Sequence, residues 1–160
     1  VQNTWKKGSL AVNSLSTYLR KETIRLNISC QSWEEAVRAV GELLCQNGIV
    51  ESSYIDAMVN NVKKFGPYIV LLPGFALAHA RCEDGAKKVG MSLVTLKEPV
   101  KFGHEDNDPV SVVVGLASTA DEKHVQFLAE ICDVIKDEEK LKKVMLSSDI
   151  DEVISIFTTQ

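Results

Sequence analysis

The residues able to do chemistry gather between Pro73 and Gly85, a stretch reading P-G-F-A-L-A-H-A-R-C-E-D-G. An apolar run, Tyr68-Ile-Val-Leu-Leu72, meets a Pro-Gly break, and a second apolar run, Phe75-Ala-Leu-Ala78, delivers His79 into a polar run with Arg81, Glu83 and Asp84. An imidazole at the end of an apolar strand sits where α/β proteins collect their ligands. A neutral imidazole can act as a nucleophile near neutral pH. A loop histidine without chemistry is the plain alternative. His124 is expected near the start of the helix that follows the apolar run 110–116, so it belongs to the same sheet edge and can meet His79. Amides at that helix start would favour an anion between the two rings. A solvated first-turn histidine is the alternative there.

Other constellations are weaker. The chain has no Ser nucleophile elbow, phosphate loop of Walker type or dinucleotide glycine pattern. Asp106 and Asp108 flank Asn107 and Pro109, which reads as a turn rather than an acid/base pair. Lys63, Lys64, Lys87 and Lys88 read as solvated faces, with the first two able to help hold an anion. Cys82 lies three residues after His79, but H-x-x-C with His104 matches no usual zinc spacing, so no metal is expected. Cys30, Cys45 and Cys132 stand among apolar residues and read as small buried hydrophobes, a usage that suits a reducing cytoplasm.

The elements that must position these groups follow from periodicity. Residues 1–9 carry no pattern and read as a disordered lead-in or an expression remnant, with one domain expected over 10–160. Leu10 to Leu19 has a weak helical spacing, and Thr23 to Ile28 alternates as a half-buried strand. Ser32-Trp-Glu-Glu35 is a capping box opening a helix that Gly48 stops. A second helix starts near Ser52 or Ser53, with Tyr54, Ile55, Met58, Val59 and Val62 inward, and Phe65-Gly-Pro67 breaks it.

Strands are predicted at 68–72, 75–79 and 89–97, with short connections that favour antiparallel neighbours. The nearly continuous apolar run Val110 to Leu116 reads as a strand covered on both faces. Thr119-Ala-Asp-Glu122 is another capping box, opening a helix with Val125, Leu128, Ala129, Cys132 and Ile135 on its core face; two shorter helices close the chain. Helices flanking strands of mixed connection predict a three-layer α/β/α sandwich with a mixed central sheet.

Composition narrows the class. With 160 residues, 45% apolar, the chain can bury a full core. A net charge of −4 gives no footprint for nucleic acid, and the apolar runs are too short to span a membrane. No secretory pattern opens the sequence.

The run from Gly74 to Phe102, G-F-A-L-A-H-A-R-C-E-D-G-A-K-K-V-G-M-S-L-V-T-L-K-E-P-V-K-F, resembles the phosphohistidine segment of phosphotransferase-system enzyme IIA proteins of the mannitol/fructose type. F-G-P-Y at 65–68 and F-G-H-E-D-N-D-P-V at 102–110 resemble the ascorbate-type branch. The resemblance covers about Leu15 to the C-terminus. It implies that His79 accepts a phosphoryl group from phospho-HPr and passes it to a cysteine of a IIB partner, serving a membrane IIC transporter indirectly. It also implies that His124 donates a hydrogen bond to the phosphoryl oxygens. No cofactor is implied, and the chain is expected in the cytoplasm, with a homodimer left open.

Two positions depart from the family. Ala78 stands where the family usually has Pro, and Asn61 where mannitol-type proteins carry a phosphate-contacting Arg. Positive support for the anion must then come from Arg81, Lys63 or Lys64. Two other readings stand beside transport. One is a regulatory relative whose phosphorylation state is sensed by other proteins, and the other a metal- or Cys82-dependent hydrolase.

Overall fold

The computed structural model describes residues 14–119 and 121–159, and of Ser14 and residues 121–124 only the backbone. Five strands, β1 (Ile24–Ile28), β2 (Val70–Leu72), β3 (Phe75–Ala78), β4 (Gly90–Val100) and β5 (Val110–Ala117), form one sheet in the order β1-β4-β5-β3-β2. The β1–β4 and β3–β5 pairs are parallel, while β4–β5 and β2–β3 are antiparallel.

Side chains alternate across the pleat, so Phe75 and Leu77 enter one core and Ala76 and Ala78 the other. Helices α1 (Trp33–Gln46) and α2 (Ser52–Phe65) cover the alanine face; α3 (Asp121–Ile135), α4 (Glu138–Leu146) and α5 (Ile150–Thr158) cover the other. The result is a three-layer α/β/α sandwich around a mixed sheet. α1 lies close to the sheet at Gly115, where a Cβ would fall 3.0 Å from the Val40 Cβ and 2.6 Å from the Ser92 Oγ. Ser92 itself is buried and donates to the Val40 carbonyl at 2.8 Å.

Local signals act as the side chains require. The Ser32 Oγ accepts from the Glu35 amide at 3.3 Å, but Glu35 reaches back to the Gln31 amide at 2.9 Å, one residue before the partner a capping box would use. The Asp137 carboxylate caps α4 and that of Asp149 caps α5. α2 ends at Phe65, and Gly66 and Pro67 redirect the chain into β2, which starts at Val70 rather than 68 because the Val70 amide closes a turn onto the Pro67 carbonyl.

Several expectations are corrected. β3 and β4 are not neighbours: β5 lies between them, taking β3 as a parallel and β4 as an antiparallel partner. The short link between β3 and β4 is held by contacts to α2 instead of by a hairpin. The described part of the Leu10–Leu19 spacing forms the 3-10 turn Ser14–Thr17, followed by another at Lys21–Thr23; Leu15 and Leu19 are buried nonetheless. On α3 the inward face is Phe127, Ile131, Val134 and Ile135, and Val125 is 64% exposed. Cys30, Cys45 and Cys132 are half-buried at the margins of the cores rather than inside them. Burial still pushes the Cys30 and Cys132 thiols upward in pKa. The lead-in at 1–9 and the Thr119–Glu122 box fall wholly or partly outside the described residues and side chains.

Candidate active site

β3 delivers His79. Because β3 runs parallel to β5, with Ala78 opposite Gly115, both strands end on the same edge of the sheet. His79 follows Ala78 directly, and α3 begins four residues after the end of β5. His124 is therefore in the first turn of α3, at the edge that carries His79; its side chain lies outside the described residues.

His79 is half-buried, and its Nδ1 lies 3.1 Å from the Leu77 carbonyl oxygen. A carbonyl can only accept, so this pairing requires the proton on Nδ1 and leaves Nε2 with its lone pair. The other side of the ring meets Tyr68 edge-on, with centroids 5.9 Å apart and planes at 87°.

The turn after His79 is strapped to the start of α2. The Tyr54 hydroxyl accepts from the Ala80 amide at 3.0 Å and donates to the Leu116 carbonyl at 2.7 Å, joining the residue after His79 to the end of β5. Burial pushes the Tyr54 phenol up to about 12, so it remains a neutral donor. Further along, the Ser53 Oγ donates to the Asp84 carbonyl at 2.9 Å and the Glu51 amide to the Gly85 carbonyl at 2.8 Å. Gly85 has φ +136, and a Cβ there would meet the Ser53 Oγ at 2.7 Å and the Tyr54 amide nitrogen at 3.2 Å. Only glycine fits so close an approach in that backbone region.

The supporting residues expected from sequence separate into different surroundings. Burial raises the pKa of the Tyr68 phenol, opposed in part by Asn61, and the Tyr68 ring borders His79. Lys63 is 3.5 Å from Glu34 on α1, and Lys64 lies over the Phe65 ring at 5.2 Å. Arg81 is largely exposed and paired with Glu83 at 3.6 Å and Asp84 at 3.9 Å. Cys82 is exposed. Phe75, four residues before His79, is fully buried in the core. Exposed apolar side chains near His79 include Tyr68, which borders its ring, and Phe65, which packs on Tyr68; Val125, the residue after His124, is exposed too.

His104, Asp106 and Asp108 lie at the opposite edge, in the loop between β4 and β5. The Asp108 carboxylate accepts from the amides of Phe102, Gly103 and His104, and the His104 Nδ1 accepts from those of Asp106 and Asn107. The segment is a self-bonded turn. Among the described residues no group of three His, Cys, Asp or Glu side chains is placed to hold a metal ion. None of the described helices is long and apolar enough to cross a membrane.

Two functional candidates escaped the sequence reading. Tyr54 was counted only as an apolar inner-face residue, since the partners of its hydroxyl are 26 and 62 positions away. Tyr68 stands in the sequence as the start of an apolar run, and F-G-P-Y is the one signal able to single it out.

Residues 17–160 match the family model described as phosphoenolpyruvate-dependent sugar phosphotransferase system, EIIA 2. The chain is 38% identical over 136 residues to the ascorbate-specific PTS system EIIA component of Escherichia coli K12, covering 84% of this chain and 88% of that one. Its structure is similar to that of the mannitol-specific cryptic phosphotransferase enzyme IIA CmtB from Escherichia coli, with TM-score 0.82, 30% identity and coverage of 91% and 98% of the two chains. It is also similar to a chain in the complex of enzyme IIA-Mtl with phosphorylated enzyme IIB-Mtl from Escherichia coli, with TM-score 0.78, 29% identity and coverage of 87% and 97%. The chain belongs to the EIIA 2 family and is a phosphohistidine carrier of the phosphoenolpyruvate-dependent sugar phosphotransferase system.

Proposed function

We propose that His79 is the histidine that carries the phosphoryl group, taking it from phospho-HPr and giving it to a cysteine of a IIB partner during uptake of an L-ascorbate-like sugar. The observation that carries this reading is the pairing of the His79 Nδ1 with the Leu77 carbonyl, which assigns the ring proton to Nδ1 and the nucleophilic lone pair to Nε2. Nε2 attacks phosphorus as the N–P bond of phospho-HPr breaks, and the donor imidazole leaves with the electron pair. In the second step a IIB thiolate attacks phosphorus, an S–P bond forms, and the His79 ring is regenerated neutral. The transition state is loose, so the protein mainly aligns the in-line atoms and supports the equatorial oxygens.

His124, in the first turn of α3, is the proposed donor to those oxygens, together with amides of the helix start. One such donor is worth about 3–4 kcal/mol of barrier lowering. Neither exchange calls for a metal or nucleotide, because one labile phosphoryl bond replaces another. The exposed rings of Phe65 and Tyr68, with the Lys64 ammonium over Phe65, suit a partner that docks and leaves quickly. Donor and acceptor of this kind place the carrier in the cytoplasm, beside a IIC transporter it serves through IIB. The ascorbate branch is supported by the likeness to the ascorbate-specific component of Escherichia coli and by the 102–110 segment.

The test is handover. The phosphorylated chain is mixed with IIB domains of ascorbate and mannitol systems, and transfer to each is timed. Preferential transfer to the ascorbate-type IIB is expected; preference for the mannitol-type domain would overturn the substrate assignment while leaving the carrier role intact.

A further inference from the structure

We propose that Tyr54 is a positioning residue for phosphoryl transfer: its hydroxyl takes the place of the next rung between β3 and β5 and so sets where His79 stands. The inference rests on the reading of His79 as the phosphoryl acceptor. The parallel ladder pairs Phe75 with Val112 and runs in step to Ala78 with Gly115, so Ala80 would come opposite Ala117. In such a ladder an amide bonds the carbonyl of the residue before its partner. The Leu77 amide points away from β5, to the Ile69 carbonyl at 2.8 Å, which turns the amides of Ala76, Ala78 and Ala80 toward β5. The rung expected after Ala78 therefore runs from the Ala80 amide to the Leu116 carbonyl.

Tyr54 stands in that rung. Its hydroxyl accepts from the Ala80 amide at 3.0 Å and donates to the Leu116 carbonyl at 2.7 Å. The Ala80 carbonyl lies 3.1 Å from the same oxygen, but its one proton serves the nearer Leu116. One backbone bond is thus replaced by two that meet at a phenol, and the strand ends are held apart by its width. β3 leaves the sheet at His79, between the last regular pair and the split rung. The wedge is rigid, because Tyr54 is 1% exposed and its ring belongs to the core between the sheet and helices α1 and α2. The far end of the loop is held separately: the Ser53 Oγ donates to the Asp84 carbonyl at 2.9 Å, and the Lys87 amide to the Ile49 carbonyl at 2.9 Å. Of these contacts, those of Tyr54 alone act at the His79 end and reach β5.

β5 leads to the start of α3, the proposed source of donors to the phosphoryl oxygens, so one hydroxyl sets the spacing between the acceptor's strand and that source. The experiment separates positioning from stability and from docking. Phosphorylation of the full chain is timed over a range of phospho-HPr concentrations. It is timed also with phosphoramidate, a small donor that needs no docking: its P–N bond breaks, ammonia leaves, and the N–P bond to His79 forms. Wild type, Tyr54→Phe and Asp108→Ala are compared per folded molecule, at a temperature where urea titration shows each to be folded. Asp108→Ala is the stability control, because its lost bonds lie at the opposite edge. Hydrogen exchange at the Ala80 amide of wild type is followed alongside.

Tyr54→Phe should lower the maximal rate about tenfold or more with both donors, since small misplacements of reacting atoms are costly. The phospho-HPr concentration giving half the maximal rate should stay as in wild type, because Tyr54 is buried and offers a partner nothing to touch. Asp108→Ala should keep the wild-type rate with both donors. The Ala80 amide of wild type should exchange as slowly as the amides of β5. A wild-type rate with phosphoramidate in Tyr54→Phe, a loss confined to the half-saturating phospho-HPr concentration, or equal slowing in Asp108→Ala would overturn the positioning role. An Ala80 amide that exchanges like an exposed loop would overturn the split rung, and that measurement needs no variant to fold. If wild type itself carries no phosphoryl on His79, the underlying reading fails first, and that outcome is visible before any variant is compared.

Discussion

Replacing Tyr54 by Phe removes one oxygen and nothing else, yet that oxygen joins the residue after His79 to the end of the strand preceding α3. The Ala80 amide at 3.0 Å and the Leu116 carbonyl at 2.7 Å both lose their partner. An unsatisfied buried group costs about 1–3 kcal/mol. Ala80 is half-buried and can recruit water, whereas Leu116 is fully buried, so the total should be about 2 kcal/mol. For a chain of this size each kcal/mol moves Tm by about 2–4 °C, giving a fall of about 4–8 °C by differential scanning calorimetry.

A second signature lies in alkali. Burial pushes the Tyr54 phenol from its ordinary 10 up to about 12, so the folded state holds that proton more tightly than the unfolded chain. The associated stability, about 3 kcal/mol, is fully present below about pH 10 and lost as the pH rises toward 12. Urea unfolding between pH 9 and 12 should show this decline in wild type and a shallower one in Tyr54→Phe. Phosphoryl acceptance at neutral pH should fall about tenfold or more, because the His79 turn is no longer fixed to β5. A variant with wild-type Tm, alkaline profile and acceptance rate would refute the reasoning.

Gly85→Ala forces a Cβ to within 2.7 Å of the Ser53 Oγ at φ +136, and should cost about 1–2 kcal/mol or more in urea unfolding while slowing phosphoryl acceptance through the same strap. Asp108→Ala strips three amides of their acceptor at the far edge, and should lower stability by about 1–3 kcal/mol with an unchanged rate of phosphorylation per folded molecule. Equal damage to the rate in Asp108→Ala would argue against placing the chemistry at the His79 edge.

The layers were legible because they depend on local periodicity. Ser32, Pro67 and the apolar run at 110–116 each act through residues a few positions away, and the structure bears out the elements they imply. Strand order was not legible in the same way. The choice of β5 over β4 as the partner of β3 is made by packing across the sheet, and a short connecting segment cannot reveal it when Ile49 and Glu51, in the link between α1 and α2, supply its carbonyl and amide partners. The face of α3 failed for a related reason: several apolar stripes are available, and the core chose the one through Phe127 and Ile131, leaving Val125 outside.

At the site, His79 could be singled out because an apolar strand ends on it. The residues that hold it could not. Tyr54 looks like an ordinary apolar-face residue until the chain brings its hydroxyl to Ala80 and Leu116, and Tyr68 until its ring meets His79. Lys63, a plausible anion ligand by type alone, spends its charge on Glu34 across the helix pair.

The most direct test of the account is the address of the phosphoryl group. The chain is phosphorylated with phosphoenolpyruvate, enzyme I and HPr, digested at neutral or alkaline pH, and its peptides sequenced by mass spectrometry, with His79→Ala and His124→Ala run in parallel. The account predicts phosphoryl on His79 alone, none in His79→Ala, and slow labelling, reduced about 100-fold or more, in His124→Ala. Label retained by His79→Ala, on His104, His124 or Cys82, would contradict it.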